Sequence, residues 1–193
     1  MFRKTALLLF SFLFVILIKG PAWSSVEGAW DVSGEMTVKV KMTGYGVERE
    51  TSYFEDEFIF HDDGSFEMID LEGSWSQQGR KFFVYADPAD IEDYFEVGLG
   101  DALDADVDVN LISYSFTGKG NKPSTRITGK FKMKMYFYVD EYDLEGTVNM
   151  VSTFTGYRSS GYFPARKTRL EDRAPAWVID SIEKAIEKAL QVQ

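Results

Sequence analysis

Apolar and polar residues alternate along most of this chain. Over residues 35–42, Met36, Val38, Val40 and Met42 share one side while Glu35, Thr37, Lys39 and Lys41 take the other. Over residues 126–139, Ile127, Phe131, Met133, Met135, Phe137 and Val139 oppose Arg126, Thr128, Lys130, Lys132 and Lys134. Successive side chains of a strand point to opposite faces, so this period predicts strands with one dry and one wet face; a helix would spread both sets around its circumference. Turn residues set the boundaries. Gly44-Tyr45-Gly46 separates the first strand from one over 49–60, Asp62-Asp63-Gly64 leads to one over 65–75, and Gln77-Gln78-Gly79 leads to one over 81–86. Strands over 107–117, 126–139 and 144–157 follow, and an eighth, irregular one is expected within 160–169.

Two segments break the alternation. Between Phe82 and Gly118 there is no Lys or Arg, while Asp87, Asp90, Glu92, Asp93, Glu96, Asp101, Asp104, Asp106 and Asp108 fall inside; Ile91, Tyr94, Phe95, Leu99 and Leu103 recur there at helical spacing. The spacing predicts a short amphipathic helix or lid over 90–103. Near the C-terminus, Pro175 opens a second helix whose apolar stripe is Val178, Ile179, Ile182, Ala185, Ile186, Ala189 and Leu190. That helix is expected to dock on the outer wall of the strand domain. Seven or eight sequential strands with short loops, two of them a dozen residues or more, predict an all-β fold: an antiparallel up-and-down β-barrel with a C-terminal α-helix. A β-sandwich is the alternative.

The N-terminus carries a different signal. Arg3 and Lys4 precede an apolar run over 6–18 interrupted only by Ser11, and Ala22-Trp23-Ser24 places small residues at the −3 and −1 positions of a cleavage site. This pattern predicts a Sec-type secretory signal peptide over 1–24 and a periplasmic or extracellular location, an uncleaved anchor being the alternative. The run would extend about 20 Å as a helix, short of the roughly 30 Å hydrocarbon layer. The domains expected are therefore the signal peptide at 1–24, the barrel at 25–170 and the packed helix at 171–193. Without the leader, eighteen cationic residues face thirty-one acids, a net charge near −13. Such a surface repels phosphate backbones and argues against a nucleic-acid partner. Cysteine is absent, which excludes disulfides, thiolate metal sites and a cysteine nucleophile.

No Gly-x-Ser-x-Gly elbow, His-Glu-x-x-His pair or phosphate-cradling loop occurs, so no enzyme and no cofactor are expected. His61, the single histidine, precedes a turn and reads as a solvated hairpin residue. Asp101, Asp104, Asp106 and Asp108 offer oxygen ligands for calcium but lack the Gly and Glu of an EF-hand, so they read as a solvated acidic loop and no metal is expected. Lys130, Lys132 and Lys134, flanked by Tyr136 and Tyr138, form a basic stripe suited to peripheral contact with anionic lipid, or simply the wet side of a strand.

The pattern Glu-Gly-small-Trp-x3-Gly occurs twice, at Glu27-Gly28-Ala29-Trp30 with Gly34 and at Glu72-Gly73-Ser74-Trp75 with Gly79. In each copy Trp is read as plugging a barrel end where its indole N–H still finds an acceptor. Gly28-Ala29-Trp30, opening the first long strand, and Asp140-Glu141-Tyr142, in a late turn, resemble the Gly-x-Trp and Thr-Asp-Tyr motifs of the lipocalins, with Val139 in place of the Thr. The family's late Arg, which stacks on the motif Trp, has Arg158 and Arg166 as candidates. The first inter-strand loop is short where lipocalins carry a large lid. The resemblance implies an apolar pocket for a small hydrophobic molecule. Met and Phe dominate the dry strand faces, and flexible thioethers adapt to irregular guests. The expected pocket is lined by Met36, Val38, Met68, Phe131, Met133, Met135 and Phe154, with Trp30 closing one end, in a monomer. A barrel with a solid core, serving a structural or interaction role, is the alternative, and carboxylate catalysis in the barrel mouth is a third reading.

Overall fold

The computed structural model describes residues 25–68, 71–159 and 176–191. The expected leader, the strand expected within 160–169, and Pro175 lie outside them. Eight strands follow in chain order: β1 (Gly28–Met42), β2 (Gly46–Phe60), β3 (Ser65–Met68), β4 (Leu71–Gln78), β5 (Lys81–Tyr85), β6 (Val107–Gly120), β7 (Arg126–Val139) and β8 (Leu144–Arg158). Each pairs antiparallel with its neighbours, and β1 with β8, giving a closed up-and-down barrel. Helix α1 (Pro88–Leu103) lies between β5 and β6 in sequence, and α2 (Ala176–Leu190) follows β8. The barrel matches the expected fold class and excludes the sandwich. The run over 65–75 is two strands, folded back so that Met68 pairs with Leu71.

Strand length positions everything else. β1, β2, β6, β7 and β8 run 14 or 15 residues, whereas β3, β4 and β5 have 4, 8 and 5. The short strands therefore bridge β2 to β6 at one end only: β3 meets β2 at Ile59 and Phe60, and β5 meets β6 over 116–119. Along the remainder of β2 and β6 the helices take over, α1 lying along β6 and α2 along β1 and β2, with the two in contact.

The outer-wall docking expected for α2 is thus corrected. Val178, Ile182 and Ile186 of α2 share a buried cluster with Val38, Val40 and Met42 of β1, which have the same strand parity as Trp30 and Val32 and so point inward. Because β3 to β5 stop short, that half of the inner face has no opposing sheet, and the helix stripe removes its apolar surface from water instead. Ser181 Oγ donates to Glu50 (2.7 Å), and Lys184 and Lys188 pair with Glu50 and Glu48, fixing α2 against the polar inner side of β2. Among the described residues no helix is long and apolar enough to cross a membrane.

One row of residues bends the sheet. The registers align Phe54, Gly34, Phe154, Gly129, Gly118 and Phe82 across β2, β1, β8, β7, β6 and β5. A Cβ on Gly129 would fall 2.2 Å from Phe154 Cζ and 2.6 Å from the Thr117 carbonyl oxygen, and one on Gly34 would fall 2.2 Å from the Thr153 oxygen. Bare backbone lets the Phe rings lie flat across neighbouring strands, and glycine kinks in register are a device by which a sheet curves tightly enough to close.

Candidate functional site

The inner face divides into two apolar clusters. At the end closed by β3 to β5, Trp30, Val32, Phe58, Phe60, Phe66, Phe116 and Phe154 form one, with edge-to-face ring contacts such as Phe58–Phe154 at 5.2 Å. At the helix end, Val38, Met133, Met135, Phe137 and Met150 join the faces of α1 and α2 in the other. The eight residues expected to line one pocket are therefore split. Trp30 and Phe154 belong to the first cluster, with Met68 packed against it; Val38, Met133 and Met135 belong to the second, with Met36 packed against it; Phe131 touches both.

Between the clusters runs a row formed by Phe116, Phe131, Ser152, Met36 and Ser52 on β6, β7, β8, β1 and β2. Here the wall is less completely buried. Met36, Phe54, Met68, Tyr114 and Phe131 are half-buried although they face inward, in contrast to the sealed ends. Two polar atoms point into this waist. Ser152 Oγ and Tyr114 Oη are buried and make no hydrogen bond among the described residues. Tyr114 stacks edge-on against Phe131 at 5.7 Å, and burial pushes its phenol well above the ordinary range, so it stays a neutral hydroxyl. A buried hydroxyl without a partner costs about 1–3 kcal/mol, so two of them on one inner surface mark a place that suits a polar group from elsewhere.

Sequence reasoning missed Tyr114 and Ser152, yet strand parity carried a signal for Ser152, which stands between Met150 and Phe154 on the dry side of β8. It also missed that Glu48, Glu50, Ser52 and Asp56 of β2 share the inward parity of Phe58 and Phe60. That stripe borders the stretch where β2 has no strand on its other side.

The acidic segment has a structural use. Glu92 and Glu96, one turn apart on α1, accept from the backbone N–H groups of Leu111 (2.6 Å) and Val109 (3.0 Å) on the otherwise unpaired edge of β6. These bonds make the segment expected as a lid part of the barrel wall. Asp87 caps α1 by accepting from Ala89 N (3.0 Å), Asp104 ends it in the left-handed conformation, and Glu141 accepts from Asp106 N (2.9 Å). Among the described residues no group of three or more His, Asp or Glu side chains converges to hold a metal ion. His61 lies in the hairpin before β3, its Nε2 2.9 Å from Glu67 Oε1. The Lys130, Lys132 and Lys134 stripe faces outward, and Tyr136 and Tyr138 beside it donate to Glu145 (2.6 Å) and Asp143 (2.9 Å).

Of the two arginines considered as partners for Trp30, Arg158 takes that place. Its guanidinium carbon sits 4.7 Å from the ring centroid, and its nitrogens donate to the carbonyls of Ser25, Glu27 and Ser124. Arg166 lies outside the described residues. The Trp30 indole donates to Val26 O (2.6 Å) and that of Trp75 to His61 O (2.9 Å), so each copy of the Gly-small-Trp pattern finds its acceptor in backbone. Gln77 links the copies by accepting from Val26 N (2.9 Å). No family model matches this chain, and no curated protein sequence matches it.

Proposed function

We propose that this chain is an exported, lipocalin-like protein that binds and carries a small hydrophobic molecule in the cell envelope, acting by binding and without catalysis. The observation that carries the reading is the waist: an inward-facing, half-buried ring of Met36, Phe54, Met68 and Phe131 with the hydroxyls of Tyr114 and Ser152 unpartnered beside it. An apolar wall with a few placed polar groups is the usual composition of a small-molecule site. The eight-strand up-and-down barrel, Gly28-Ala29-Trp30 at the start of β1, and Arg158 over Trp30 support the likeness to lipocalins. The guest that fits is an amphiphile with an apolar body and one hydrogen-bonding group. The leader-like N-terminal sequence supports export.

The test is fluorescence titration of the purified protein with the neutral apolar probe N-phenyl-1-naphthylamine. One saturable site per chain is expected, weakened about tenfold or more by Met36→Trp, which fills the waist from a half-buried position. No saturable binding, or binding unchanged in that variant, would move the reading to a barrel with a solid core.

A further inference from the structure

The row that bends the sheet also creates a groove on the outside of the barrel. Its volume is about 670 Å³, and its lining is Phe82, Phe154, Gly34, Gly118 and Gly129 with the outward residues on either side of them. Six strands contribute, and at about 4.8 Å per strand the groove runs about 24 Å across their direction. The rims are hydroxyl-rich, with Ser33, Thr117, Thr128, Thr153 and Thr155. Tyr53 stands at the β2 end and Phe83 at the β5 end.

The charges in this groove run against those of the molecule. Lys81 and Lys119 sit directly opposite each other across β5 and β6, and Lys130 is diagonal to Lys119 across β6 and β7. Like charges directly opposite on a sheet are destabilising. None of the three lysines forms an ion pair among the described residues. The lining's single carboxylate, Glu35, lies on β1, two strands from Lys130. A chain near −13 without its leader has concentrated three unpaired cations, five Ser and Thr hydroxyls and two outward-facing aromatic rings in one elongated groove.

We propose that this groove binds an anionic carbohydrate chain, with Lys81, Lys119 and Lys130 meeting its carboxylate or sulfate groups, the Ser and Thr hydroxyls its hydroxyls, and Tyr53 and Phe83 the faces of its sugar rings. The alternatives fit less well. A peptide held by strand pairing would run along a strand edge, whereas this groove crosses six strands. A bilayer is flat where this surface is a groove.

Isothermal titration calorimetry with polygalacturonate and dextran sulfate, and with neutral dextran as control, tests this on the purified protein. Binding to either anionic polysaccharide is expected, weakened about tenfold or more in the triple variant K81Q/K119Q/K130Q and by raising salt to about 0.5 M. The variant K39Q/K41Q, on the outer face but off the groove, is expected to bind as the parent does. Because all these lysines are exposed, circular dichroism is expected to show unchanged folding. Absence of binding, equal binding to neutral dextran, an unaffected triple variant, or equal affinity for polyglutamate or phosphatidylglycerol vesicles would overturn the proposal. Retention of the naphthylamine probe in the triple variant separates this site from the waist.

Discussion

At Gly129 the sheet tolerates no side chain, because the position that a Cβ would take is already occupied by the Phe154 ring and by the backbone of β6. Gly129→Ala is expected to destabilise the barrel by about 1–3 kcal/mol or more, the range for forcing atoms into a filled site, as read from urea denaturation midpoints. Strand periodicity was legible at this scale, but the glycines were not. Gly34, Gly118 and Gly129 sit in three separate strands, and only the register brings them into one row. Tyr136 carries a pH consequence. Its hydrogen bond to Glu145, with some burial, raises its phenol to about 12. The folded value lies above the ordinary 10, so its contribution to stability is fully present below pH 10 and is lost as pH rises towards 12. Spectrophotometric titration of the phenols is expected to show a group ionising near 12 that Tyr136→Phe removes.

The elements show why a strand's edge needs as much attention as its faces. β6 has β7 on one side throughout, but β5 reaches it only from Phe116 onward, and α1 supplies Glu92 and Glu96 to the backbone before that point. A carboxylate on a backbone N–H is a charge-assisted bond, and it also blunts an edge that could recruit another chain. Replacing Glu92 and Glu96 together with Ala is expected to cost about 2–3 kcal/mol and to speed hydrogen exchange at Val109 and Leu111 specifically. The acidic run was legible as a helix, since Ile91, Phe95 and Leu99 repeat at its period and all are buried. Its role was not, because it depends on the register that pairs β5 with β6 only over 116–119 and leaves Val109 and Leu111 without a strand on that edge. The same shortness explains α2. Its stripe of Val178, Ile182 and Ile186 could be read directly, whereas the surface it covers depends on which strands fail to extend.

At the scale of the whole molecule, the two described helices and eight described strands form one enclosure in which α2 closes the end opposite Trp30. Ile182→Asp would bury a carboxylate at a fully buried position of that closure. The variant is expected to lose about 3 kcal/mol or more and to bind apolar dyes nonspecifically, a loss that calorimetric melting would register. Architecture was legible at this scale because most loops are short and each neighbour is sequential. The division of the interior into two clusters was not, since the dry faces read uniformly as Met, Phe and Val. The pairing of β1 with β8 has a temporal consequence. Gly34 meets Phe154 only after nearly the whole barrel has been made, and α2 comes later still. Contacts so distant in sequence form slowly, because the intervening chain must be ordered first. A chain threaded N-terminus first across a membrane would present β1 and the uncovered helix-end interior to its surroundings until its final residues arrived. The seam between first strand and last therefore puts closure of the barrel at the end of folding, after the strands between them are in place.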